Sequence, residues 1–151
     1  MRARRLQVSV IGSGSAQEAV ALEVGRLLAE RGCVVVTGGL DEVMAWALQG
    51  AHEAGGTTIA ILPGESHAAA TAWADHVVVT GIGHARNLAV AASGDAVIAV
   101  GGSWGTIAEI AFAMRLGRPV VVLEDGPEVS GVPRAATPAE AVELVLGRLA
   151  R

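Results

Sequence analysis

The sequence predicts a single α/β domain over residues 1–151: a Rossmann-like, doubly wound and mainly parallel sheet with helices on both faces. Three observations carry that expectation. Short runs rich in valine, isoleucine and alanine alternate with stretches of helical period along the whole chain. Those runs are apolar throughout, not only at every second residue, which is the pattern of strands covered on both sides. Three of them lead into glycine turns, Gly12-Ser-Gly-Ser15, Gly38-Gly39 and Gly101-Gly102. Right-handed crossovers bring such turns to one edge of the sheet, where doubly wound folds hold their ligands.

The elements follow in order. Residues 6–11 read as a strand, and 16–31 as an amphipathic helix with Val20, Val24, Leu27 and Leu28 on one face. Ser15 and Glu18 have the spacing of a capping box at its start. A strand over 33–36 precedes a helix over 42–54, with Asp41 as the expected N-cap and Glu42 favouring the helix dipole. The third strand covers 57–62 and closes at Pro63-Gly64. Segment 65–75 has room for one helical turn, and 75–80 reads as a short strand. A helix over 84–92 leads to the strand at 95–100. The next helix, 107–116, ends at Gly117 and is followed by a strand at 119–123. The loop through Pro133 carries little signal. Thr137-Pro138-Ala-Glu140 opens the last helix, with Thr as N-cap, Pro at the first helical position and Glu completing a capping box. The sum is about six strands, a usual sheet size.

Composition excludes several classes of function. At 151 residues and 52% hydrophobic content the chain can bury one substantial core. Its first residues lack the apolar stretch of a signal peptide, and no run approaches the roughly 20 residues of a membrane span, so a cytoplasmic protein without a membrane partner is expected. The single cysteine, Cys33, cannot form an internal disulfide and opens an apolar strand, where packing is its role. A net charge of −4 with no arginine block argues against a nucleic-acid partner. His52, His67, His76 and His84 are scattered without metal-ligand spacing, so no metal is expected. All eleven basic residues are arginines. Without a lysine there is no Schiff base for pyridoxal phosphate and no standard P-loop. Without a tyrosine, proton transfer through a phenol is excluded as well.

The most informative segment runs from 80 to 109. It holds Thr-Gly-Ile-Gly-His84-Ala-Arg86-Asn, an apolar helix, the strand, and then Gly101-Gly102-Ser103-Trp104-Gly105-Thr106-Ile-Ala-Glu109. A buried strand that enters a glycine turn and then a helix is an anion-holding device: amides approach the oxygens closely and the helix end adds partial positive charge. Arg86 stands one crossover earlier, after flexible glycines, and Glu109 lies close behind the turn. Thr106 and Glu109 also have capping-box spacing, which offers a purely structural account of the glutamate. A carboxylate near a phosphate is better explained if it faces a centre that becomes cationic, because neighbouring anions repel by a few kcal/mol when partly desolvated. Trp104 is too large to pack inside such a turn and is expected to point outward, over a ligand or into a subunit contact. Trp46 and Trp73 read as core or interface.

The first turn does not make a dinucleotide site. Gly12-Ser13-Gly14-Ser-Ala-Gln17 lacks a third glycine, and the second strand ends in Val36-Thr37-Gly38 with no acid for a ribose. Gly12, Ser13 and Gly14 remain candidates for ligand contact, as do Gly38 and Gly39.

With Gly-Gly-x-x-Gly-Thr-x-x-Glu after an apolar strand and His-x-Arg upstream, the chain resembles the "Lonely Guy" (LOG) superfamily, long mislabelled lysine decarboxylases. Val10-Ile-Gly-Ser13, Gly38-Gly39 and Glu53-Ala-Gly-Gly-Thr-Thr-Ile-Ala-Ile-Leu-Pro63 extend the match over nearly the whole chain. The resemblance implies release of a free base from a nucleoside 5′-monophosphate, with Arg86 and Glu109 in the catalytic positions. It also implies a phosphate held by Gly101, Gly102, Ser103, Trp104, Gly105 and Thr106, with His84 nearby. Departures from the LOG pattern are Val100 for proline, Ala85 for the acidic residue, Asn87 for lysine, and Trp104 within the turn. The wording Gly-x-Gly-His-Ala-Arg-Asn is similar to another branch, the molybdenum cofactor carriers and related bacterial proteins, which implies a bound phosphorylated pterin and no chemistry. The motif wording favours the carrier, but the retained Arg and Glu favour the hydrolase, which is the reading expected from sequence, with the carrier as its alternative. Either way the resemblance implies a phosphorylated small-molecule ligand, a nucleoside monophosphate or a molybdopterin-type compound, no required cofactor, and a homo-oligomer, dimer or tetramer. The DNA-processing protein DprA shares this fold, but the acidic balance here argues against DNA.

Overall fold

The computed structural model describes residues 2–150. Among them the chain forms one seven-stranded sheet from β1 (Gln7–Ser13), β2 (Val34–Thr37), β3 (Thr58–Leu62), β4 (His76–Val79), β5 (Ala96–Gly101), β6 (Val120–Leu123) and β7 (Arg134–Ala135). Every pair is parallel, in the order β4-β3-β2-β1-β5-β6-β7. The helices are α1 (Glu18–Glu30), α2 (Val43–Glu53), α3 (Arg86–Ser93), α4 (Trp104–Arg115) and α5 (Pro138–Leu149). No helix among the described residues is long and apolar enough to cross a membrane. The α/β, doubly wound reading holds. The short seventh strand, in the loop that carries little sequence signal, is an addition.

Strand side chains alternate between two cores, which is why the strands are apolar at every position. Val8, Val10, Ile98 and Val100 pack under α1, α2 and α5, whereas Ile11, Val97 and Ala99 pack under α3 and α4. Cys33 is buried in the first core, with Trp46 and Trp73 packed against it. Burial pushes the Cys33 thiol above its ordinary value, so it is an inert packing group.

Local chemistry explains most element ends and corrects others. Thr137 accepts from the Glu140 N–H at 3.2 Å, as a cap should, and the Glu140 carboxylate reaches back to the Ala136 N–H at 2.9 Å. The expected Ser15 capping box does not form. A 3-10 turn over Ser15–Gln17 comes first, and α1 starts from Gln17 with no side-chain cap. Asp41 is not the N-cap of α2 either. That position belongs to Glu42, which makes no capping bond. Both caps fail because the glycine turns ahead of them set the backbone path before the helix begins. Short 3-10 turns also form at His67–Ala69 and Gly83–Ala85.

The chain builds outward from β1 to β4, then returns so that β5 lies on the other side of β1. This reversal is the switch point at which an open α/β sheet leaves a crevice beyond its strand ends. Gly12 pairs with Val100 and Ser13 with Gly101 across it. Gly12 has φ 131, and a Cβ there would lie 1.8 Å from the Val100 carbonyl oxygen. The Ser9 hydroxyl donates to the Val90 carbonyl at 2.6 Å, tying α3 to β1 beneath the crevice. Gly12→Ala is therefore expected to destabilise the fold by at least about 3 kcal/mol, through backbone strain and overpacking, read as a lowered denaturation midpoint.

Candidate functional site

The second glycine turn delivers free amides to the crevice. Helix α4 begins at Trp104, three residues before the start expected at 107, and its N-cap is Ser103, without a side-chain cap. The first helical bond outside the element runs from the Ile107 N–H to the Ser103 carbonyl at 3.0 Å. The N–H groups of Trp104, Gly105 and Thr106 are thus left without an acceptor in their own helix, the geometry that seats an anion. Thr106 lies inside the helix, not at its cap, so the capping-box account of Glu109 is overturned.

Gly105 and Thr106 line a cleft of about 240 Å³ that takes residues from four parts of the chain. Val10, Ile11, Gly12 and Ser13 come from the end of β1, Gly38 and Met44 from the turn after β2 and from α2. His84, Arg86 and Asn87 enter from the start of α3, and Ser103, Gly105, Thr106 and Glu109 from α4. A groove of about 320 Å³ between α1 and α2 is larger, but Arg26 there is already paired with Glu23 and Glu30. It offers no unpartnered group and lies away from the strand ends. The smaller cleft is the candidate site.

Arg86 gives the cleft its charge. It is only 7% exposed, and its buried Nε has no hydrogen-bond partner. Among the described residues no ion pair within 4.0 Å joins it to a carboxylate. Burial lowers its proton affinity and Glu109 works the other way, yet an arginine stays charged in proteins. A buried, unsatisfied polar group costs roughly 1–3 kcal/mol, and more if charged. The backbone makes room for it at Gly38, where a Cβ would lie 1.9 Å from the Arg86 Nη1. A buried cation without a partner and free helix-end amides in one cleft are together suited to an anion.

Glu109 is partly buried in the wall of the same cleft. Burial pushes its carboxyl up to about 7, against the opposing attraction of Arg86. Near neutral pH it exchanges its proton readily, as a general acid or base must.

The structure brings together nine of the residues named from sequence around the cleft: Gly12, Ser13, Gly38, His84, Ser103, Gly105 and Thr106, with the pair Arg86 and Glu109. Others stand behind it. Gly39 packs on Ala60 and Leu62, Gly101 on the Ser13 carbonyl and Gly102 on Thr106, so they shape the turns without lining the cleft. The Gly14 N–H is taken by a Glu42 carboxylate oxygen at 2.8 Å. Trp104 points outward, 84% exposed. Val10, Ile11, Met44 and Asn87 line the cleft without having been expected. Asn87 follows Arg86 directly, which is a usable signal, while Met44 is placed only by the return of α2 over the sheet.

Comparison with known proteins agrees with this architecture. The SLOG cluster4 family model matches residues 5–144. A protein of Archaeoglobus fulgidus is 41% identical over 140 residues, covering 91% of this chain and 92% of its own length. The molybdenum cofactor binding protein of the phototrophic bacterium Rippkaea orientalis superposes with a TM-score of 0.90 at 33% identity, over 97% of this chain and 98% of that one. The molybdenum cofactor carrier protein of Chlamydomonas reinhardtii gives a TM-score of 0.89 at 36% identity, over 98% and 100%. This chain belongs to the SLOG cluster4 family.

Proposed function

We propose that the protein binds a phosphomonoester bearing a planar heterocycle, and that it serves as a carrier for a phosphorylated pterin of the molybdenum cofactor type. The observation that carries the reading is the unpartnered Arg86 in one cleft with Gly105 and Thr106, whose amides are free at the head of α4. A phosphate satisfies both at once. The cleft, at about 240 Å³, is smaller than the roughly 300–1,000 Å³ that encloses a whole drug-sized ligand. It suits the phosphate end, with the ring outside against the exposed indole of Trp104, where stacking favours an aromatic partner. The likeness to the two molybdenum cofactor proteins, each above 30% identity over nearly the full chain, supports a pterin as that ring.

Glu109 favours a second reading, hydrolysis of the N-glycosidic bond of a nucleoside 5′-monophosphate. With the phosphate on the α4 amides, C1′–N cleavage sends the electron pair to the departing base and leaves positive charge on the sugar. Glu109 stabilises that charge, takes a proton from the water that adds at C1′ and passes it to the departing base, so that free base and ribose 5-phosphate leave; the charge contact is made chiefly in the transition state. Arg86 orients the ribose or the carboxylate. Leu88 on α3, together with Trp104 and Phe112 on α4, leaves apolar surface exposed, which supports a homo-oligomer. Light scattering at twice the monomer mass or more is the expected result.

Three tests follow from the site. Gly105 has open space where a Cβ would stand. Gly105→Val fills it and should weaken a phosphate-bearing ligand at least roughly tenfold in calorimetry, the value of about 1.4 kcal/mol of lost anion contacts. Anaerobic purification followed by mass spectrometry is expected to recover a phosphorylated pterin. Base release from purine or pyrimidine monophosphates, abolished by Glu109→Gln, would instead establish the hydrolase.

Glu109 also predicts a pH signature. Its folded carboxyl binds its proton more tightly than the ordinary value of 4.5. The stability linked to that proton is complete below the ordinary value and is lost as pH rises through about 7. Glu109→Gln stays neutral, so it should stabilise the protein at about pH 8 by on the order of 2–3 kcal/mol, with no gain near pH 4. Thermal melts at the two pH values check this.

A further inference from the structure

We infer that Glu42 sets the phosphate specificity of the cleft: its carboxylate occupies the amide of the first glycine turn and so restricts the ligand to a single phosphate. This rests on the phosphomonoester reading and assigns the residue that enforces it.

Glu42 is the non-glycine residue that holds a positive φ, 51°, among the described residues. Glutamate keeps such a backbone only where its surroundings impose it. Capping does not explain the strain, since Glu42 is the N-cap of α2 and makes no capping bond. Its side chain turns to the neighbouring loop, where Oε2 accepts from the Gly14 N–H at 2.8 Å.

The place of that bond gives it meaning. Ser13, just before Gly14, and Met44, two residues after Glu42, both line the cleft. Ser13 is in register with Gly101 on β5, and paired strands lie roughly 4.8 Å apart. A second phosphate linked to one seated on the Gly105 and Thr106 amides therefore falls beside the β1 turn. In a dinucleotide-binding sheet that turn and its helix hold the pyrophosphate. Here its amide is already satisfied by a carboxylate, which also repels a further anion. Arg86, with its free Nε, supplies one permanent positive charge on the other side. One phosphate completes the site, and a second meets like charge.

The test compares adenosine mono- and diphosphate, with inorganic phosphate and pyrophosphate as ring-free probes, against wild type, Glu42→Gly and Glu42→Asn. Glycine takes the positive φ without strain and removes the carboxylate. Asparagine removes the charge and, one methylene shorter, the reach to Gly14, while the backbone strain at φ 51 and ψ −130 remains. Wild type should prefer the monophosphate of each pair. Both variants should shift the ratio of affinities toward the diphosphate by roughly tenfold or more, the scale of one charge-assisted hydrogen bond regained. A ratio within about twofold of wild type in either variant that keeps its circular dichroism spectrum overturns the proposal and leaves the phosphate cradle standing. Wild type that binds the diphosphates as tightly as the monophosphates overturns it as well. Wild type that takes up none of the four probes ends the phosphomonoester reading, and this inference with it.

Discussion

The close approach of β1 and β5 is the constraint on which everything else depends. The chain turns back at this point, and the two strand ends can lie side by side only because Gly12 leaves space for the Val100 carbonyl. The approach aligns both glycine turns on one edge of the sheet. It brings the start of α4 opposite the end of β1, and the Ser9–Val90 bond holds α3 in the same frame. Arg86 at the head of α3 and the amides at the head of α4 then have no alternative but to converge. The site results from where the sheet reverses, and the residues in it make use of that position.

The cleft is built with a deliberate imbalance of charge. Arg86 is buried without a partner, and Glu109 is buried enough to hold its proton near neutrality, yet the two do not form an ion pair within 4.0 Å. A direct pair would have relieved both groups and left nothing for a ligand. Their separation leaves both costs uncompensated within the chain, the kind of strain that binding sites keep at the expense of stability. Glu42 stands behind the cleft, where a strained backbone delivers a carboxylate to the first turn.

Carrier and hydrolase readings share this machinery and differ only in what Glu109 does once the phosphate is seated. A shared fold does not choose between them, because function lives in the site grafted onto it. The relatives over nearly the full chain support the carrier, and the perturbed glutamate keeps the chemistry within reach.

Much of this was legible in the chain. Unbroken apolar runs between helical periods determined a parallel, double-faced sheet, because a strand covered on both sides has no polar position to spare. Gly101-Gly102 before a helix marked the turn at the head of α4, and Thr137-Pro138-Ala-Glu140 marked its helix start, because those signals act within one turn of backbone. Signals that depend on a neighbouring element failed. Ser15, Asp41 and Thr106 have the spacing of caps, but turn geometry set elsewhere in the sheet decided where each helix began. The burial of Arg86, the raised carboxyl of Glu109 and the bond from Gly14 to Glu42 were decided by the tertiary structure alone. Each depends on the distance between groups far apart in sequence, and only the return of the chain at β1 and β5 fixes those distances.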